Sequence, residues 1–103
     1  MTIYLLRHGQ TQGNLERRYI GRTDQPLCPQ GRAALEDRPP LPPVDRIFVS
    51  PLLRCRQTAA LLYPGQEVEI VPGLRECDFG AFEGRTYEEL KDDPAYRRWL
   101  DTA

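Results

Sequence analysis

The first apolar block of the chain runs from Thr2 to Leu6 with almost no polar interruption. A β-rich run that is apolar on both faces predicts a short strand buried inside a parallel sheet. The pattern turns polar abruptly at Arg7-His8-Gly9-Gln10-Thr11. From Gln12 to Gln30 no period is visible, and Gly13, Gly21, Pro26 and Pro29 punctuate the segment, which predicts irregular structure. Pro29 suits the first position of a helix over Gln30 to Asp37, and Arg38-Pro39-Pro40-Leu41-Pro42-Pro43 ends it as a stiff connector.

Arg46-Ile47-Phe48-Val49 predicts a second strand. Ser50 and Pro51 follow as N-cap and first helical residue of a helix that reaches Tyr63 and stops at Pro64-Gly65. Glu67 to Val71 alternates as a third strand closed by Pro72-Gly73. Thr86-Tyr87-Glu88-Glu89 has the form of a capping box, so a short helix starts near Tyr87. A last helix starts at Asp93-Pro94 and carries Tyr96, Trp99 and Leu100. Strands that alternate with helices predict an α/β fold, with a mostly parallel central sheet flanked by helices and right-handed crossovers.

The length of 103 residues fits one domain, residues 1–103, with a modest core. A formal net charge of −1 argues against a general binder of nucleic acid or anionic membrane. The three cysteines, Cys28, Cys55 and Cys77, are widely spaced and form no zinc or redox motif, which suggests reduced thiols. The apolar run near the start is too short for an export or membrane segment, so a cytoplasmic location is expected.

Chemistry concentrates at the predicted strand ends. Arg7 and His8 follow the first strand, Arg54 lies in the first turn after the second, and Arg75 and Glu76 follow the third. Parallel strands would bring an imidazole, two or three guanidiniums and a carboxylate to one sheet edge. That set suits phosphoryl transfer. Arginine forks match phosphoryl oxygens, a neutral imidazole is a competent nucleophile, and a carboxylic acid can protonate the departing alkoxide. The helix N-terminus at Ser50-Pro51 would add backbone donors for the phosphate. The arginines would neutralise the charge, so neither a metal nor another cofactor is expected.

Four ordered blocks carry a family resemblance over nearly the whole chain. Leu6-Arg7-His8-Gly9-Gln10-Thr11-Gln12-Gly13-Asn14 resembles the signature of the histidine phosphatase superfamily, the phosphoglycerate mutase-like proteins. Gly21-Arg22-Thr23-Asp24-Gln25-Pro26-Leu27 resembles its substrate loop, and Ser50-Pro51-Leu52-Leu53-Arg54 through Ala59 its second arginine block. Leu74-Arg75-Glu76 through Gly84 resembles its acid block. The resemblance implies that His8 takes the phosphoryl group, that Arg7, Arg54 and Asn14 bind it, and that Glu76 is the proton donor. It places Thr11, Gly21, Arg22 and Thr23 near the substrate, a small phosphorylated metabolite.

Two departures from the family pattern stand out. The family has a second histidine well beyond the acid block, whereas His8 is the only one here. Family domains are also about twice this long. The chain is therefore expected to be the N-terminal part of such a domain or a naturally short relative, with a sheet incomplete at its C-terminal side. Losing a group that stabilises transition-state charge typically costs ~10²–10³ in rate. An uncovered sheet makes self-association an expectation. Cys28 stands where a serine or threonine commonly caps the next helix, at a cost of about 1 kcal/mol at most. Gly13, where mutases usually have tryptophan, and Cys77-Asp78-Phe79-Gly80, where they have a basic-aromatic pair, resemble the phosphatase branch that includes α-ribazole phosphatase-like enzymes. Phosphoglycerate mutase-type transfer and an inactive phosphate- or partner-binding relative are the alternatives.

Overall fold

The computed structural model describes residues 1–74 and 79–102. In chain order the elements are α1 (Gln12–Leu15), α2 (Pro29–Glu36), β1 (Phe48–Val49), α3 (Leu53–Leu62), β2 (Glu69–Ile70), α4 (Tyr87–Leu90) and α5 (Pro94–Thr102). Two 3₁₀ turns, Pro72–Leu74 and Gly80–Phe82, follow β2. β1 and β2 run parallel, with Phe48 opposite Glu69 and Val49 opposite Ile70. The ladder is made by Glu69 N–H to the Ile47 carbonyl at 2.8 Å and Val71 N–H to the Val49 carbonyl at 2.9 Å. With α3 as the crossover this is a β-α-β unit, and α2 packs against α3. The fold is α/β with a parallel sheet flanked by helices.

The sequence expectation fails at the first strand. Thr2 to Leu6 forms no strand, and Ile3 and Leu5 are 75% and 93% exposed. An apolar strand is stable when neighbours pair both its edges and cover both its faces. The described residues provide neither for this segment. The radius of gyration, 15.8 Å, accordingly exceeds the ~13 Å of a compact domain of this size.

Helix starts show why the other elements form. Thr11 and Asn14 make a reciprocal capping box around α1, in a segment that lacks the usual Glu or Gln at the third position. Its end is a Schellman motif: Arg17 N–H reaches the Asn14 carbonyl and Arg18 N–H the Gly13 carbonyl. Arg17 occupies the left-handed position of that motif, at φ 57°, where glycine is favoured. Cys28 does cap α2, its Sγ accepting from Gly31 N–H at 3.4 Å. The α4 box at Thr86 and Glu89 forms as expected, and Asp93 Oδ1 accepts from Ala95 N–H at the start of α5.

α3 starts later than its local sequence predicts. Its N-cap is Leu52, not Ser50, because Ser50 Oγ accepts from Leu52 N–H while Asp24 Oδ1 accepts from Leu53 N–H at 2.6 Å. A carboxylate 29 positions earlier thus supplies the cap that a local rule assigns to the adjacent serine.

Two clusters hold the chain together. One is built from the buried residues Ile20, Leu27, Cys28, Leu35, Val49 and Leu52. In the other cluster Tyr19 joins the aromatic rings of Phe79, Tyr96 and Trp99. Its ring lies 5.1 Å from Phe79 and 5.8 Å from Trp99, and its hydroxyl is 2.6 Å from that of Tyr96. The bond to Tyr19, together with burial, pushes the Tyr96 phenol up to about 12.

α2 approaches the backbone after His8 more closely than any side chain allows. A Cβ at Gly31 would lie 2.2 Å from the Gln10 carbonyl oxygen. That same oxygen accepts from both the N–H and the thiol of Cys28, at 3.0 and 3.3 Å. Gly31→Ala is therefore expected to destabilise the protein by about 1–3 kcal/mol, since the clash is with backbone and no rotamer relieves it. Thermal unfolding should show it as a fall of several degrees in Tm.

Candidate functional site

His8 follows the apolar N-terminal segment directly. Its Nδ1 lies 2.6 Å from the Gly9 carbonyl oxygen. A carbonyl only accepts, so Nδ1 carries the proton and a neutral ring keeps its lone pair on Nε2. The next peptide is fixed from below: Gly9 N–H donates to Thr58 Oγ1 at 2.9 Å, and that hydroxyl donates to the Arg54 carbonyl at 2.7 Å. Thr58 is buried one turn after Arg54 on α3. One hydroxyl thus ties the His8-Gly9 segment to the helix that carries the second arginine.

Arg7, His8, Gln10 and Asn14 line an open cleft of about 600 Å³, with Arg17 and Arg38 on its wall. No carboxylate lines it among the described residues. Its positive lining suits a dianionic group. Asn14 has given its carbonyl oxygen to Thr11 N–H at 3.0 Å, which turns the amide nitrogen into its available donor. Thr11 itself is fully buried as the cap of α1 and contributes to the site by orienting Asn14.

Arg54 is set apart from this cleft. It is completely buried, and its two terminal nitrogens donate to the carbonyls of Thr23 and Gly21 at 2.7 and 2.6 Å. The opposite side of the same loop is held by Glu83. Its carboxylate accepts from Gly21 N–H at 2.9 Å, from Thr23 N–H at 3.0 Å, from the Thr23 hydroxyl, and from Arg22 N–H. Gly21, Arg22 and Thr23 are thereby clamped between a guanidinium on their carbonyls and a carboxylate on their N–H groups. Burial pushes the Glu83 carboxyl up. The Thr23 hydroxyl and the three backbone donors together outweigh it, and the group sits below its ordinary value.

The structure therefore gathers Arg7, His8 and Asn14 at one cleft and Gly21, Arg22, Thr23 and Arg54 in one clamped loop. Glu76, the expected proton donor, lies outside the described residues. The helix N-terminus expected to bind phosphate is corrected. The N–H groups of Leu52 and Leu53 are already given to Ser50 and Asp24, so α3 offers its first donors to the protein itself. Sequence reasoning missed Thr58 and Glu83. The i, i+4 spacing of Arg54 and Thr58 could have suggested the first, since it places both on one helix face. Nothing local marks Glu83 as a loop holder.

With this geometry in place, comparison with known proteins settles the family. The chain belongs to the histidine phosphatase superfamily (branch 1), whose profile matches residues 3–103. It is 36% identical over 106 aligned residues to a probable phosphoglycerate mutase GpmB of Enterobacter sp., covering 97% of this chain and 49% of that protein. It is 35% identical to the adenosylcobalamin/α-ribazole phosphatase of Salmonella typhimurium, covering 96% and 52%. Among solved structures it resembles an Entamoeba histolytica phosphoserine phosphatase in complex with 3-phosphoglyceric acid, at 34% identity and a TM-score of 0.77, covering 91% of this chain and 49% of that one. The chain spans about half the length of the curated relatives it matches. Among the described residues no helix is long and apolar enough to cross a membrane.

Two outcomes follow from the site. Thr58→Val strands the Gly9 N–H and is expected to cost about 1–3 kcal/mol, measured by chemical unfolding. Because the folded-state value of Glu83 is depressed, its contribution is fully present above the ordinary carboxyl value of 4.5 and is lost as pH falls through the lower folded value. Glu83→Gln should therefore be less stable than wild type near neutral pH, and the gap should close on acidification below 4.5, as read from Tm against pH.

Proposed function

We propose that this chain carries the nucleophile half of a phosphomonoesterase site that works through a phosphohistidine on His8. The observation that carries this reading is the hydrogen bond from His8 Nδ1 to the Gly9 carbonyl, which assigns the ring proton to Nδ1 and the nucleophilic role to Nε2, in a cleft that Arg7 and Asn14 also line. In the first step Nε2 bonds to phosphorus, the bond from phosphorus to the ester oxygen breaks, and the departing alkoxide takes a proton from Glu76. In the second, water attacks phosphorus, the N–P bond breaks, and Glu76 recovers a proton from the water. Arg7 and the Asn14 amide hold the phosphoryl oxygens. Arg54 contributes its buried charge and holds the loop that meets the rest of the substrate, with Thr11, Gly21, Arg22 and Thr23 around it.

The substrate in this reading is a small phosphorylated metabolite, and water is the acceptor. Support comes from Gly13, whose added Cβ would lie 2.6 Å from the Ile20 side chain and 2.7 Å from the Gln25 side-chain oxygen Oε1. A tryptophan of the mutase pattern would have to displace these two side chains. The family's small-molecule enzymes, the phosphoserine phosphatase and α-ribazole phosphatase relatives, agree with a phosphorylated metabolite as substrate.

The test is hydrolysis of p-nitrophenyl phosphate at acidic to neutral pH by wild type and His8→Ala, with intact mass to detect an acid-labile phosphoprotein. His8→Ala should lose the phosphorylated species and at least ~10³ of the turnover. Wild-type hydrolysis no faster than the His8→Ala variant would sink the reading for this 103-residue form. Interconversion of phosphoglycerates without release of phosphate would replace hydrolysis by mutase-type transfer.

A further inference from the structure

We propose that Glu83 is the residue that sets substrate affinity, by holding the Gly21–Thr23 loop in the shape that receives substrate. The proposal rests on the phosphohistidine reading only for what the loop binds. The holding itself is a matter of geometry.

Three successive peptide N–H groups that converge on one point form a concave anion-binding nest. Here the nest of Gly21, Arg22 and Thr23 is filled by a carboxylate of the chain's own, and the Thr23 hydroxyl adds a fourth donor to it. Glu83 follows the 3₁₀ turn Gly80–Phe82 directly. That turn is itself fastened to the segment before the loop, because Gly84 N–H donates to the Tyr19 carbonyl at 2.7 Å and Arg18 donates to the Gly84 carbonyl at 2.8 Å. The carboxylate is therefore delivered to the nest by a backbone hydrogen-bonded to Arg18 and Tyr19. Arg54 grips the two carbonyls of the same loop from α3, and α3 also carries the Thr58 that holds Gly9. Glu83 thus closes a mechanical circuit. It joins the loop, through Arg54 and Thr58, to the segment bearing His8, and it does so without lining the cleft itself.

A positioning role of this kind makes a specific kinetic demand. Losing the carboxylate frees three amides and lets the loop sample other shapes, so the binding-competent fraction falls. Apparent affinity falls with it, while the nitrogen–phosphorus chemistry at His8 is untouched. Charge-assisted hydrogen bonds of this type correspond to ~10-fold or more in an equilibrium.

The experiment compares wild type, Glu83→Ala and Glu83→Gln. Amide hydrogen exchange at Gly21, Arg22 and Thr23 is measured by NMR, and KM and kcat by hydrolysis of p-nitrophenyl phosphate. The expected result is loss of protection at the three amides with KM raised ~10-fold or more and kcat within about twofold in Glu83→Ala. Glu83→Gln, which keeps one acceptor oxygen, should fall between the two, and it serves as the test where the alanine variant does not fold. Unchanged amide protection in a folded variant overturns the proposal. So does lost protection with KM and kcat both unchanged, and so does a fall in kcat alone, which would move Glu83 into the chemical step. Absence of turnover in wild type would instead overturn the phosphohistidine reading. The holding role is then still decided by the amide exchange, with the dissociation constant of inorganic phosphate read in place of KM.

Discussion

A fully buried guanidinium is the constraint on which this structure depends. Arg54 cannot be hydrated, so its charge must be met by oriented oxygens. Two of these are the carbonyls of Gly21 and Thr23, from a loop that begins more than 30 positions earlier. Meeting them forces the loop against α3. The loop then brings Asp24 to the open end of α3 as its cap, and its outward N–H groups require an anion, which Glu83 supplies. Loop, helix start and the placing of Glu83 are consequences of finding partners for one charge.

Much of this was legible in the sequence, for identifiable reasons. The two-residue strands at Phe48 and Glu69, the proline-opened α2 and the Thr86 capping box each answer to signals lying within a few residues, and local signals survive folding. What escaped is non-local. Ser50 looked like a cap until Asp24 arrived from another segment. Thr58 looked like an ordinary helical threonine until Gly9 was placed above it. Thr2 to Leu6 reads as a buried strand because its composition is that of one, yet composition specifies a demand for neighbours without providing them. The same limit applied to chemistry. The order of the four motifs pointed to His8, Arg7, Asn14 and Arg54, but only coordinates separate the residues that line the cleft from one that grips the loop.

The site is also informative in how it divides labour. His8 is oriented by its own neighbour's carbonyl, and that neighbour is oriented by Thr58, so the ring's tautomer is set by two peptide groups and one hydroxyl. The positive cleft has no carboxylate among its described walls, whereas the carboxylates Asp24 and Glu83 are committed to backbone N–H groups nearby. These two carboxylates hold the architecture while arginines line the cleft, an arrangement suited to an anionic ligand.

Cys28 gives the arrangement a chemical clock. Its thiol is buried and engaged with both the Gln10 carbonyl and the Gly31 amide, on the backbone two residues past His8. A thiol in that state is shielded from alkylating reagents until α2 lifts away, whereas Cys55 on α3 is half-buried and more accessible. The labelling rate of Cys28 therefore measures how often the floor beneath His8 opens, a dynamic quantity that no static distance contains.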